Sequence, residues 1–140
     1  MSQRYAGDVT PKEAWNILGA EKDSHLVDCR TTAEWSFVGV PDLSLVDKNT
    51  NFVEWVRFPG GLDNPAFVEE VEKAGIGKDA TVLLLCRSGQ RSIAAAIAMT
   101  ESGFSKSYNI LEGFEGDKNQ NSQRGKVGGW KLSGLPWQQT

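Results

Sequence analysis

The sequence predicts an α/β layer fold with a mainly parallel central sheet. Three observations carry that expectation. Segments with strand and helix patterns alternate along the chain. Thr81-Val82-Leu83-Leu84-Leu85 is a continuous apolar run, as a strand covered on both faces requires. An Ala-rich helical pattern follows it after a short polar loop. A chain of 140 residues suits one domain, and 39% apolar residues is enough to give it a core.

The first helix is announced by Thr10-Pro11-Lys12-Glu13, an N-cap Thr with Pro at the first helical position and Glu at the third. Ala14, Trp15, Ile17 and Leu18 form its apolar face, which ends at Gly19. His25-Leu26-Val27-Asp28 reads as a short strand. Thr31 or Thr32 caps a brief helix through Ala33, Glu34, Trp35, Phe37 and Val38, ended by Gly39 and Pro41. Within the ambiguous stretch 43–58, Ser44-Leu45-Val46 reads as a strand, and Phe52-Val53-Glu54-Trp55-Val56 fits strand or helix. Asn64-Pro65 opens a helix with Phe67, Val68 and Val71 on its buried face and Gly75 or Gly77 at its end. After the apolar strand a helix runs from about Ser92 to Ser102, and Ser107-Tyr108-Asn109-Ile110-Leu111 is the last strand. Residues 116–140 hold five glycines and scattered Val127, Trp130, Leu132, Leu135 and Trp137. They read as an irregular tail packed on a single domain of residues 1–140, with its tryptophans as anchors; exposed tryptophans would instead make a partner surface. There is no internal repeat.

Composition narrows the function. One histidine and two cysteines do not supply a structural zinc site or a disulfide scaffold, so no metal is expected. A net charge of −3 disfavours general nucleic-acid binding. No apolar run reaches a membrane-spanning length, and the first residues lack a signal-peptide core, so a cytoplasmic, membrane-free protein is expected. Residues 1–80 carry 8 Lys/Arg against 14 Asp/Glu, while residues 81–140 carry 7 against 4. The basic half contains Cys86 and would draw an anionic ligand toward it.

The chemistry-bearing segment is Cys86-Arg87-Ser88-Gly89-Gln90-Arg91-Ser92, between the buried strand and the Ala-rich helix. In open α/β sheets, ligands bind beyond the carboxyl ends of the strands. Gly89 permits backbone angles closed to other residues, so the loop can curl around the sulfur with its N–H groups inward. The helix N-terminus adds further donors, and Arg87 and Arg91 add positive charge if they reach the site. Such surroundings bring a cysteine pKa down from about 8.5 into the range of about 3.5–7.5. Cys86 is therefore expected to be nucleophilic without a partner base. His25 starts another strand and is read as non-catalytic; Cys29, with no glycine loop beside it, is read as a core residue.

These residues resemble the rhodanese family of sulfurtransferases. The loop Cys86-Arg87-Ser88-Gly89-Gln90-Arg91 is similar to the family's six-residue active loop. Leu26-Val27-Asp28-Cys29-Arg30, followed by Glu34-Trp35 and Gly39, resembles its upstream signature. Asn109-Ile110-Leu111-Glu112-Gly113, Gly129-Trp130 and Gly134-Leu135-Pro136-Trp137 resemble its closing segment. The resemblance implies a three-layer fold with a central mainly parallel sheet flanked by helices. It implies that Cys86 takes a sulfane sulfur from a donor as a persulfide and passes it to a thiophilic acceptor. Backbone N–H groups from Arg87 to Ser92 would hold the charged sulfur, and Asp28 and Arg30 would support the loop structurally. The donor would be thiosulfate or a small-molecule or protein persulfide, the acceptor a thiol, with no cofactor. Ser88 stands where thiosulfate-using members often carry a basic residue. The oligomeric state is left open.

Two other functions fit parts of the pattern. A non-catalytic rhodanese-like binding module would share the fold. A cysteine phosphatase or arsenate reductase would share the thiolate loop, but its loop places five residues between Cys and Arg; here four separate Cys86 from Arg91 and Ser92 takes the expected Arg position.

Overall fold

A computed structural model describes residues 4–57, 62–124 and 126–139. Met1, the end of the ambiguous stretch at Phe58, and Thr140, the bound of the tail, lie outside them. The element order is β1 (Gly7–Val9), α1 (Pro11–Ala20), β2 (Ser24–Asp28), α2 (Thr32–Phe37), β3 (Val40–Pro41), a 3₁₀ turn (Ser44–Val46), β4 (Asn51–Phe52), β5 (Val56–Arg57), β6 (Leu62–Asp63), α3 (Phe67–Lys73), β7 (Thr81–Leu85), α4 (Arg91–Glu101), β8 (Ser107–Ile110) and β9 (Trp137–Gln138).

Five strands form one sheet in the order β1-β8-β7-β2-β4, and every pairing in it is parallel. Alternate residues of the strands face opposite sides. Val27, Val82 and Leu84 pack with Phe67 and Val71 of α3 and with Ala95, Ala96 and Met99 of α4. Leu26, Leu83, Leu85 and Ile110 pack on the other side with Ala14 and Leu18 of α1, Phe114 and Trp130. The result is the α/β, helix–sheet–helix layering expected, with β7 buried along its whole length. Among the described residues no helix is long and apolar enough to cross a membrane.

Local signals set the helix starts. Thr10 and Thr31 each close a reciprocal capping box, with Glu13 and Glu34 respectively. Asn64 shapes the turn before α3 by accepting from the Ala66 N–H at 3.0 Å. The small Ala95 and Ala96, fully buried, let α4 lie close to the sheet.

Two sequence expectations change and one open alternative is resolved. Ser44-Leu45-Val46 is a 3₁₀ turn, not a strand: Asp42 accepts from the Ser44 N–H at 3.0 Å, the Val46 N–H bonds Leu43 O, and Asp47 closes the turn at φ 58°. Its apolar Leu45 points outward, 77% exposed. The stretch from Phe52 contains strand residues at β4 and β5 rather than a helix. Ser107-Tyr108-Asn109-Ile110-Leu111 is not the last strand, because β9 follows and pairs antiparallel with β3. Residues 7–9, which carry no strand pattern of their own, supply the edge strand β1.

The C-terminal segment packs through Trp130, which is fully buried, edge-on to Trp15 at 6.0 Å, and donates its indole N–H to Pro136 O at 2.8 Å. Trp137 packs edge-on against Phe114 and remains 37% exposed. Trp130→Ala is expected to destabilise the fold by about 3–5 kcal/mol, read by urea unfolding. A change below about 1 kcal/mol would show that the segment contributes little to the core.

Candidate active site

Cys86 follows the last residue of β7, at the carboxyl edge of the sheet. The loop 87–90 folds over it and returns into α4. Gly89, at φ +101°, turns its N–H onto Cys86 Sγ at 3.1 Å. The Ser92 N–H donates to the same sulfur at 3.4 Å, and Ser92 Oγ lies 3.2 Å away. Gln90 occupies the N-cap position of α4 but makes no side-chain cap. The sulfur takes the place of the capping oxygen, at the positive end of the helix. Cys86 itself is only 1% exposed.

Beneath the loop lies the turn at 112–116. The Phe114 N–H donates to Cys86 O at 2.8 Å and the Glu115 N–H to Arg87 O at 2.9 Å. A Cβ on Gly113 would stand 2.3 Å from Cys86 O, and φ there is +61°. Only glycine allows this approach, so Gly113 belongs to the site although it touches no sulfur.

Both arginine side chains turn toward α2, and Arg91 reaches the cysteine by its charge. Arg91 is committed to Glu34 of α2 through two hydrogen bonds of 2.7 and 2.9 Å, and Arg87 Nε lies 4.0 Å from the same carboxylate. Burial would raise the Glu34 pKa, but the Arg91 hydrogen bonds and charge outweigh it and hold the carboxyl below its usual range. Burial likewise opposes the charge on Arg91, and Glu34 overcomes it, holding the guanidinium above its ordinary value. Their pairing ties the loop to α2 and offsets much of the Arg91 charge. Ser88 is half-buried, and Gln90 is exposed.

A depressed carboxylate pKa contributes stability above its unfolded value that is lost as pH falls through the folded one. Glu34→Gln is therefore expected to cost about 1–3 kcal/mol at pH 7. The difference from wild type should shrink below about pH 4. Urea unfolding at pH 7 and pH 3 checks this; an equal loss at both would mean that the charge contributes nothing.

Asp28 and Arg30 are both fully buried. Arg30 Nε and Nη2 bond Asp28 at 2.9 and 2.7 Å, and Nη2 also donates to Gly39 O at 2.8 Å. The guanidinium lies 4.2 Å from the Phe114 ring centre, so the pair supports the turn that carries Cys86 O. Cys29 is fully buried, and its thiol donates to Leu85 O at 3.2 Å. Burial pushes that thiol well above the usual range, with the neighbouring Cys86 adding to the effect. His25 pairs in register with Val82, four residues before Cys86, which places it about 13 Å along the strands toward their opposite ends. Its ring bonds Asp23 at 2.8 Å.

Three functional partners were not recognised from sequence: Gly113, Asn109 and the contact of Glu34 with Arg91. Asn109 is the most informative. A fully polar side chain within the strand β8, 1% exposed, accepts the Ser92 hydroxyl proton and donates to Asp8 at 3.0 Å. An amide between Tyr108 and Ile110 in a buried strand is the available signal.

Comparison with known proteins bears on the family and the fold. A family profile described as the STR4 middle domain matches residues 6–140. The crystal structure of Rv0390 from M. tuberculosis superposes with a TM-score of 0.88 at 44% identity, covering 97% of this chain and 99% of that one. An uncharacterised protein of Rickettsia conorii is 37% identical over 131 residues, 94% of this chain and 96% of its own. Rhodanese-like domain-containing protein 4, chloroplastic, of Arabidopsis thaliana is 27% identical over 132 residues, 94% of this chain but 25% of its own length. The chain belongs to the rhodanese-like family, as a sulfurtransferase-family domain of its STR4 middle-domain group.

Proposed function

We propose that the protein is a sulfurtransferase that carries sulfane sulfur as a persulfide on Cys86. The observation that carries this reading is the convergence of the Gly89 and Ser92 N–H groups on Cys86 Sγ at a helix N-terminus. A donor R–S–S⁻ or thiosulfate is attacked at its sulfane sulfur by Cys86. The new bond is Sγ–S, the bond lost is the donor's, and the donor departs with the electron pair as thiolate or sulfite. A thiol acceptor then attacks the outer sulfur and frees Cys86. Free Cys29 and Cys86 and a reaction that needs a reduced Cys86 suit a cytoplasmic, reducing setting.

A phosphatase would need an arginine free to grip the substrate oxyanion bidentately. Arg91 is instead held by Glu34, which favours a small sulfur cargo over an oxyanion. With Ser88 in the loop and the Arg91 donors committed to Glu34, a persulfide donor is expected to load Cys86 faster than thiosulfate.

Steady-state transfer from each donor to cyanide or dithiothreitol tests the reading. Double displacement predicts parallel lines in double-reciprocal plots. No turnover with either donor would contradict it and favour a binding role for the domain.

A further inference from the structure

The Ser92 hydroxyl has one proton and two neighbours able to take it. Oγ donates to Asn109 Oδ1 and lies 3.2 Å from Cys86 Sγ. The Asn109 amide cannot turn round, because its Nδ2 donates to Asp8 Oδ1 at 3.0 Å and a carboxylate can only accept. Asp8 and Asn109 stand opposite each other in the β1–β8 register, and Tyr5 OH donates to the same Asp8 oxygen at 2.9 Å. Ser92 and Asn109 are buried, whereas Asp8 is exposed at the sheet edge. A chain of hydrogen bonds thus runs from the reactive sulfur across two strands to a surface carboxylate.

We propose that Asn109 and Asp8 are positioning residues that control which way the Ser92 proton points. The proposal builds on the sulfur-carrier reading. With Asp8 fixing the amide, the Ser92 hydroxyl proton points at Asn109 Oδ1 and Oγ turns a lone pair toward Sγ. That arrangement suits a sulfur without negative charge, either the thiol, which donates its own proton to Oγ, or the inner sulfur of a persulfide. Discharge changes the demand. An acceptor thiolate R–S⁻ attacks the outer sulfur of Cys86–Sγ–SH. The R–S–SH bond forms, Sγ–S breaks, the proton leaves with the outer sulfur, and the electron pair stays on Sγ. Rotation of the Ser92 hydroxyl from Asn109 to Sγ then adds a third donor to those of Gly89 and Ser92 N–H. This rotation leaves Asn109 Oδ1 without its partner, so the grip of Asp8 on Asn109 sets how readily it happens.

Alkylation of unloaded Cys86 by iodoacetamide tests this, because it forms no persulfide and, at equal access to the sulfur, its rate follows the stabilisation of the sulfur anion. Asp8→Ala frees the amide to turn its Nδ2 toward Ser92, and Asn109→Leu removes the acceptor. Each is expected to raise the alkylation rate about three- to tenfold, the effect of one hydrogen bond to a charged sulfur. Ser92→Ala should lower it by a similar factor and abolish the gain from Asp8→Ala. A general loosening of the loop would not depend on the Ser92 hydroxyl. If Asn109→Leu does not fold, Asp8→Ala at the exposed edge decides alone. Unchanged or slower alkylation in Asp8→Ala, or a gain that survives Ser92→Ala, overturns the proposal. Sulfur loading of the wild type, followed by mass in parallel, reports separately on the carrier reading.

Discussion

Cys86→Ala is expected to reduce sulfur transfer by at least about 10³-fold, the scale on which a covalent nucleophile is lost. The other nucleophilic sulfur cannot substitute: Cys29 is fully buried, bonded to Leu85 O and held protonated by its burial. His25 lies near the amino end of β2, away from the carboxyl ends where Cys86 sits, so it forms no base–nucleophile pair with Cys86. Alanine would also leave the Gly89 and Ser92 N–H groups without their acceptor, at a stability cost of about 1–3 kcal/mol. Cys86→Ser keeps an acceptor there and separates the two effects: it should be as inactive as the alanine variant but closer to wild type in urea unfolding. Residual transfer within tenfold of wild type in both variants would place the sulfur chemistry elsewhere.

Breaking the Asp28–Arg30 pair is expected to destabilise the fold as much as the loss of Trp130 does. Both side chains have no exposure, so each ion is balanced by the other. Asp28→Ala leaves a guanidinium with one carbonyl and an aromatic face, a loss of about 3–5 kcal/mol. A domain of this kind has about 5–15 kcal/mol in total. Tm should fall by about 10–20 °C. A buried ion pair is not itself a strong stabiliser, because desolvation offsets much of its attraction. The double replacement Asp28→Leu with Arg30→Met should therefore be more stable than Asp28→Ala. Its effect on Cys86 should persist, however, because Arg30 stacks on Phe114, whose N–H holds Cys86 O. Thermal unfolding of the variants, with iodoacetamide reactivity of Cys86, checks both points. A Tm loss below about 3 °C in Asp28→Ala would contradict the account.

Local chemistry made much of the fold legible. The capping boxes at Thr10 and Thr31, the apolar β7 and the Ala-rich α4 are each specified by residues adjacent in sequence. The cysteine loop was legible for the same reason, since Cys86, Gly89 and Ser92 meet within seven residues. Elements defined by partners were not. β1 has three residues and is a strand because β8 offers it an edge. Ser44-Leu45-Val46 has strand-forming residues, yet Asp42 and Asp47 bend it into a 3₁₀ turn, a competition between side-chain capping and propensity. The Glu34–Arg91 contact joins residues 57 apart and directs the Arg91 side chain to α2, so that Arg91 acts on the cysteines by its charge alone. Asn109 and Asp8 are 101 residues apart, and only the sheet order brings them together.

Intact-protein mass after incubation with thiosulfate, and separately with a small-molecule persulfide, bears on the central claim without assuming an acceptor. Wild type should gain one sulfur atom, removed by cyanide or a thiol, and Cys86→Ala should gain none. The persulfide should load more completely than thiosulfate at equal time. No gain in wild type with either donor, or an equal gain in Cys86→Ala, would contradict a persulfide carried on Cys86.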